Sequence, residues 1–349
     1  MTPRRNNLPT QVLTAGLMTL LILLSARLTA SAQNAPAYHL AKRVVLGGSG
    51  FWDYFAVEPG TGHVFIPYGK HVLILDSDGK KLNEVPGFEG AHAISFAPKL
   101  KLAFVSDGDA ATVLNTETNK VVRHTELKDN GPDAILFEPV TERVFGFGEK
   151  GAAVIDAKTG ALLTTIPLGG KPEFAQADGA GFVYVNIEDK NEIAKLDAKQ
   201  MKEVARWPIA PCKRPSGLAI DVAHERLFAG CGGSQTIEAI RYTDGKVLGS
   251  APIAKGTDAT AYDPGQQLAF ASCGAGEVTV VHEGTPGEFK VAQSIKTESG
   301  ARTMALDSER HIVYTITAKM GPPPAPTAEN PHPWPTIVPG TFSLLIYKQ

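Results

Sequence analysis

Apolar and polar positions alternate along this chain in short runs, and clusters of Gly, Pro and Asp separate the runs. Alternation at period two predicts β-strands, and the Gly, Pro and Asp joints supply the turns between them. The runs share one repeating register. First strands begin at Asp53 (DYFAVEP), His92 (HAISFAP), Asp133 (DAILFEP), Glu173 (EFAQADG), Ser216 (SGLAIDV), Asp258 (DATAYDP) and Arg302 (RTMALDS). The steps between these starts are 39, 41, 40, 43, 42 and 44 residues. Second strands read HVFIPY, LAFVSD, RVFGFG, FVYVNI, RLFAGC, LAFASC and HIVYTI, with an aromatic ring at the same place in each. Third strands such as VLILDS and EVTVVHE follow, then fourth strands such as VVRHTEL and LLTTIPL.

Four strands per unit at a period near forty predict an all-β fold, a seven-bladed β-propeller of four-stranded blades. The last unit has only three strands before the chain stops. The segment His39 to Gly47 (HLAKRVVLG) reads like the fourth strand of the other units. Pairing it in the last blade would close the ring and remove the exposed edges.

The N-terminus carries a different pattern. Arg4 and Arg5 precede an apolar run from Val12 to Leu24, and Ala30-Ser31-Ala32 follows. This predicts a secretory signal over residues 1–32, a single propeller domain over 33–349, and a periplasmic or secreted location. Cleavage removes three arginines and no acids, so the formal charge moves from −2 to −2 − 3 = −5. That balance argues against nucleic acid as a partner. No later stretch is long and apolar enough to span a bilayer, and a monomer is expected.

The segments FVYVNIEDKNEIAKLDA, PCKRPSGLAIDVAHERLFAGC, GTDATAYDPGQQLAFASCG and GARTMALD, with the proline-rich stretch ending VPGTF, carry a resemblance. They resemble the YVTN-type (YncE-like) propeller family, in an exported bacterial branch. The resemblance implies the propeller fold and no particular reaction, since propellers serve many functions.

The starts of the first strands, Asp53, His92, Asp133, Glu173, Ser216, Asp258 and Arg302, are expected to ring the upper mouth of the central channel. Converging charges round a concavity suit a ligand. Carboxylate oxygens suit a divalent cation such as calcium. Arg302 among the acids instead favours a polar organic ligand or a set of paired charges. Acid or Ser at a strand entry also caps turns, so a structural role competes. A second set of acids, Glu58, Glu138, Asp178, Asp221, Asp263 and Asp307, is expected to fix hairpin turns on the lower face. His63, His224 and His311, beside those turns, are expected to be solvated.

In an oxidising compartment a disulfide is allowed, and antiparallel first and second strands bring Cys212, in the loop before Ser216, near Cys231; a Cys212–Cys231 disulfide is expected, with Cys273 the odd one left free. Ala318 to Gly340 holds eight prolines in 23 residues and forms a long, stiff insertion in the last unit. Trp334 and His332 in it, with Trp52, are candidate lid residues over the mouth, although packing between blades competes for Trp52. The chemistry favours a ligand-binding or interaction scaffold for a small polar ligand or a periplasmic protein. A metal-dependent, lactonase-like hydrolase and an accessory subunit of a periplasmic redox system are the alternatives. The chain has no haem-attachment C-x-x-C-H, phosphate loop or nucleophile elbow.

Overall fold

The computed structural model describes residues 1–2, 37–48, 51–128, 130–284, 287–327, 331, 333 and 335–349. Most of the predicted export signal, residues 3–32, lies outside the described residues. All described strands fall in the compact unit Tyr38–Gln349. They build a β-propeller of antiparallel blades. Among the described residues no helix is long and apolar enough to cross a membrane.

One expectation is corrected. Hydrogen bonding joins the strands into six blades, not seven. Five sheets have four strands, and the sixth has six: Ala56–Val57, Val64–Leu75, Lys81–Ala97, Leu102–Asp107, Ala110–Asn115 and Lys120–Glu126. The cause is the 17-residue strand Lys81–Ala97, which runs unbroken across a junction between sequence repeats. Its first part pairs with His71–Leu75, and its second part with residues 102–107. Phe88 in the middle is buried, and the Asp107 carboxylate accepts the backbone N–H groups of Glu89 and Gly90, both at 2.7 Å. The junction is therefore held extended where other repeats make a loop.

The last sheet closes the ring as predicted. His39–Val45 pairs antiparallel with Ser343–Lys348, which pairs with Ile312–Thr317 and then Met304–Asp307. Tyr38 anchors the entry of the closing strand. It is buried, lies edge-on to Phe270 at 5.5 Å, and its hydroxyl accepts from Gln349 at 3.0 Å.

The core follows from the alternation. Described buried apolar residues form seven clusters, each built between neighbouring repeats. Adjacent strand residues point into different clusters, as when Phe65 joins one and Val64 and Ile66 another. The seven aligned aromatics, Phe65, Phe104, Phe145, Tyr184, Phe228, Phe270 and Tyr314, are all buried. Burying a large apolar side chain contributes about 1.5–3 kcal/mol, which is why this one column recurs.

The proline-rich insertion leaves and returns through a paired neck. Gly321 N donates to Thr336 O at 2.8 Å, and Val338 N to Lys319 O at 2.8 Å. Ile337 buries itself in the cluster that also holds Trp52 and Phe342. The two lid candidates within it, His332 and Trp334, lie outside the described residues.

If Tyr38 anchors the closing strand, Tyr38→Ala should cost about 3–5 kcal/mol, as large-to-small aromatic truncations do. Urea denaturation measures it; a loss below about 1 kcal/mol would show that closure does not rest on this side chain.

Candidate functional site

Several starts of the first strands are pinned to a neighbouring repeat through their backbone carbonyls. A small polar residue buried near the end of a second strand bonds the carbonyl of the next start. Ser106 Oγ donates to Asp133 O at 3.5 Å, Asn186 Nδ2 to Ser216 O at 2.8 Å, and Ser272 Oγ to Arg302 O. Tyr54 N also donates to His92 O at 3.1 Å. A buried polar group must be bonded, and these three bonds fix the ring as they satisfy it.

The ring side chains form alternating charges. His92 Nδ1 lies 2.8 Å from Asp133 Oδ1, and its Nε2 3.4 Å from Asp53 Oδ2. Arg302 reaches Asp53 Oδ1 at 3.5 Å and Asp258 Oδ2 at 2.8 Å. The Arg302–Asp258 contact is ionic rather than a directed hydrogen bond, since Asp258 Oδ2 has no hydrogen-bond partner. Ser216 Oγ donates to Asp258 Oδ1 at 2.8 Å. A second chain runs through Lys171, which meets Glu173 at 2.5 Å and Glu188 at 2.9 Å, while Glu188 also takes Arg214 at 2.9 Å. The Tyr54 hydroxyl lies between the two chains, 3.2 Å from Glu173 and 3.4 Å from Asp258.

Burial governs the protonation of this ring. It pushes the Asp53 carboxyl up to about 7, against the pull of Arg302. It likewise pushes Glu173 up to about 7, against the Lys171 ammonium. Burial works against a charged His92, but hydrogen bonding to Asp133 and the Asp53 and Asp133 charges hold the imidazole up to about 9. Burial would raise Asp133 too; the His92 hydrogen bond and charge outweigh it and lower this carboxyl.

Below the mouth the channel is not simply polar. Tyr54 and Phe174 pack edge-on at 4.3 Å, and Phe174 touches three of the hydrophobic clusters. An aromatic pair therefore packs directly beside the charged ring. To one side opens a cleft of about 710 Å³, whose walls include His92, Asp133, Lys171 and the glycines Gly90, Gly108, Gly131, Gly148 and Gly170.

Several residues sit differently from expectation. Trp52 is buried against Phe342 at 5.0 Å, and Phe51 is the aromatic at the mouth, stacked on His92 at 5.9 Å and 20°. The lower-face acids fix turns as expected: Glu138 accepts from Val140 N and Thr141 N, and Asp263 from Gly265 N and Gln266 N. Two histidines beside them keep the expected exposure to solvent and are also paired with an acid. His224 Nδ1 lies 2.6 Å from Asp221 Oδ2, and His311 Nδ1 is 2.7 Å from Asp263 Oδ2. Cys212 and Cys231 form the disulfide, with Cα atoms 5.4 Å apart. Cys273 is free and buried, and burial pushes its thiol up to about 12, which leaves no thiolate nucleophile.

Sequence reasoning missed Lys171, Tyr54, Phe51 and the three pinning residues. Tyr54 had a signal, because most other repeats place a small residue directly after the ring position. The pinning residues had one too: a lone Ser or Asn inside an apolar second strand.

No family model matches the chain, and no curated protein matches it. Among solved structures it is similar to a chain of Kuenenia stuttgartiensis hydrazine synthase, at 17% identity and a TM-score of 0.58, covering 66% of this chain and 83% of that one. It is also similar to U3-55K, at 9% identity and a TM-score of 0.75, covering 90% of this chain and all of that one. At such identities the likeness is one of fold. The propeller suits a scaffold or interaction role, and by itself assigns no reaction.

The raised Glu173 carboxyl sets a pH dependence. The folded state holds this proton more tightly than the unfolded chain, so the favourable contribution is complete below about 4.5 and is lost as pH rises through about 7. Glu173→Gln, neutral throughout, should gain about 1–3 kcal/mol on wild type between pH 4.5 and 8. Parallel stability curves from urea melts at a series of pH values would refute this.

Proposed function

We propose that this chain is an exported propeller that binds a small polar ligand through its upper face, with the channel mouth as the recognition surface. The observation that carries this reading is the cleft of about 710 Å³ that opens beside the charged ring. Its size is that of a small-molecule pocket, and its polar groups, His92, Asp133 and Lys171, converge from three different repeats. Asp53, Glu173, Asp258 and Arg302 complete the polar mouth behind them.

Gly90 supports the same reading. A Cβ there would meet only Gly108 N, at 3.9 Å, and its backbone does not lie in the left-handed region. Neither strain nor crowding requires glycine at this point on the cleft wall. Glycine here leaves room for a ligand to approach the backbone closely, which is how we read it.

The fold reading is finer than six sheets. We take the repeats to be of the YVTN type, with two of them merged through Lys81–Ala97 into the six-stranded sheet. The seven hydrophobic clusters support it, as does Gly69 with φ of 57°, where Val64–Leu75 can reverse. Export is supported by the pattern of residues 4–32 and by the disulfide, which oxidising compartments favour.

The test is a thermal-shift screen with amino acids, sugars and organic acids, run on wild type and on Gly90→Leu. A Cβ at this position of the cleft wall meets backbone no closer than 3.9 Å, so the variant should melt within a few degrees of wild type. Compounds that raise the wild-type melting temperature should not raise that of the variant. Equal shifts in both proteins, or no shift with any compound, would contradict binding at this cleft.

A further inference from the structure

His92 is held closely at one ring nitrogen and met only at long range at the other. Its Nδ1 faces Asp133 twice, at the carboxylate Oδ1 (2.8 Å) and at the backbone carbonyl (3.1 Å). Phe51 stacks on one face of the ring, and Tyr54 meets it edge-on at 6.3 Å and 90°. These contacts fix the ring and aim Nε2 towards Asp53 Oδ2, 3.4 Å away. A charge-assisted N–H···O⁻ bond closes to about 2.7–2.9 Å, and this pair has not closed. The gap matches something else. Two ligands about 2.1 Å from one zinc ion, at the tetrahedral angle, lie about 3.4 Å apart.

Asp53 fits the same role. It is only 7% exposed, and its nearest partners among the described residues are the His92 nitrogen at 3.4 Å and Arg302 at 3.5 Å. Both contacts are long for a carboxylate this deep, where loosely met charge is costly. The closest approach of Arg302 to this carboxylate is at Oδ1. The ligand atoms offered by Asp53, His92 and Asp133 all lie within 4.8 Å of one another.

We propose that His92 Nε2 and Asp53 Oδ2 bind a divalent transition-metal ion of the zinc type, the ion displacing the Nε2 proton to solvent, with Asp133 as the positioning residue behind His92. A metal-bound histidine usually donates its other N–H to a carboxylate or carbonyl, and His92 Nδ1 faces one of each. An imidazole nitrogen beside a carboxylate oxygen suits zinc, whereas calcium takes six to eight oxygens. Two protein ligands leave the remaining positions to water or to a molecule in the cleft, whose wall includes His92. The ion is therefore exchangeable, and it would present an open coordination position to whatever the mouth binds. This inference goes beyond the ligand reading and is tested apart from it, with the metal alone.

The experiment is calorimetric titration of Zn²⁺ into tag-free, chelator-stripped protein. One ion should bind per chain. His92→Ala and Asp53→Asn should abolish measurable uptake, and Asp133→Asn should weaken it by about 10–100-fold. His311→Ala, which removes the lower-face histidine paired with Asp263, should bind as wild type does. Circular dichroism checks that each variant is folded. Wild type loaded with Co²⁺ gives a readout that needs no variant: intense visible bands of four-coordinate cobalt, removed by Zn²⁺. Absence of zinc uptake by wild type, uptake unchanged in both His92→Ala and Asp53→Asn, or a weak octahedral cobalt spectrum would each overturn the proposal.

Discussion

Everything at the mouth depends on the pairing of His39–Val45 with Ser343–Lys348. A propeller has no central core to hold it round, so its radius is set by how the first and last repeats meet. Here they meet as neighbouring strands of one sheet, which leaves that sheet no open edge at the seam. Arg302 comes from the last repeat and Asp53 from the first, and they stand 3.5 Å apart only because the ring is closed. Trp52 and Phe342 pack across the same seam at 5.0 Å. The wall of the site and the latch of the fold are one piece of structure.

Within the closed ring, charge is handled by alternation. One chain runs Asp133, His92, Asp53, Arg302, Asp258; the other runs Glu173, Lys171, Glu188, Arg214. Few of these groups are fully exposed, and burying charge is costly unless each one is met by its opposite. Alternation meets that condition through the protein's own side chains. The weak place in the pattern is Asp53. It is the deepest carboxylate of its chain and has the two longest contacts, and burial pushes it up to about 7.

Much of this was legible in the sequence. The register of first strands found the ring positions, because the residue at a strand entry is fixed by topology rather than by packing. The aromatic column of Phe65 to Tyr314 marked the second strands, since each must fill one wedge between repeats. The cysteine pair could be placed because two antiparallel strands bring Cys212 near Cys231. What was missed depends on contacts that cross repeats or act on one junction alone. Lys81–Ala97 is continuous because Asp107 and Phe88 happen to hold that linker extended. Trp52 and Phe51 are adjacent and both aromatic, and only the three-dimensional path shows which one turns inward. His224 and His311 read as loop residues, yet the turn-fixing acids beneath them supply ready partners. Lys171 lies two residues ahead of its ring position, outside the repeat that pointed to the others.

On the proposed reading, His92 Nε2 is the point where this mouth meets what it binds. The most direct measurement is the ¹⁵N spectrum of the His92 imidazole, assigned through its absence in His92→Ala. The account predicts a protonated, hydrogen-bonded Nδ1 in free and zinc-loaded protein alike, and an Nε2 resonance that moves to the metal-bound range when Zn²⁺ is added. An Nε2 resonance that stays in place as zinc saturates, or an Nδ1 that carries no proton, would contradict it.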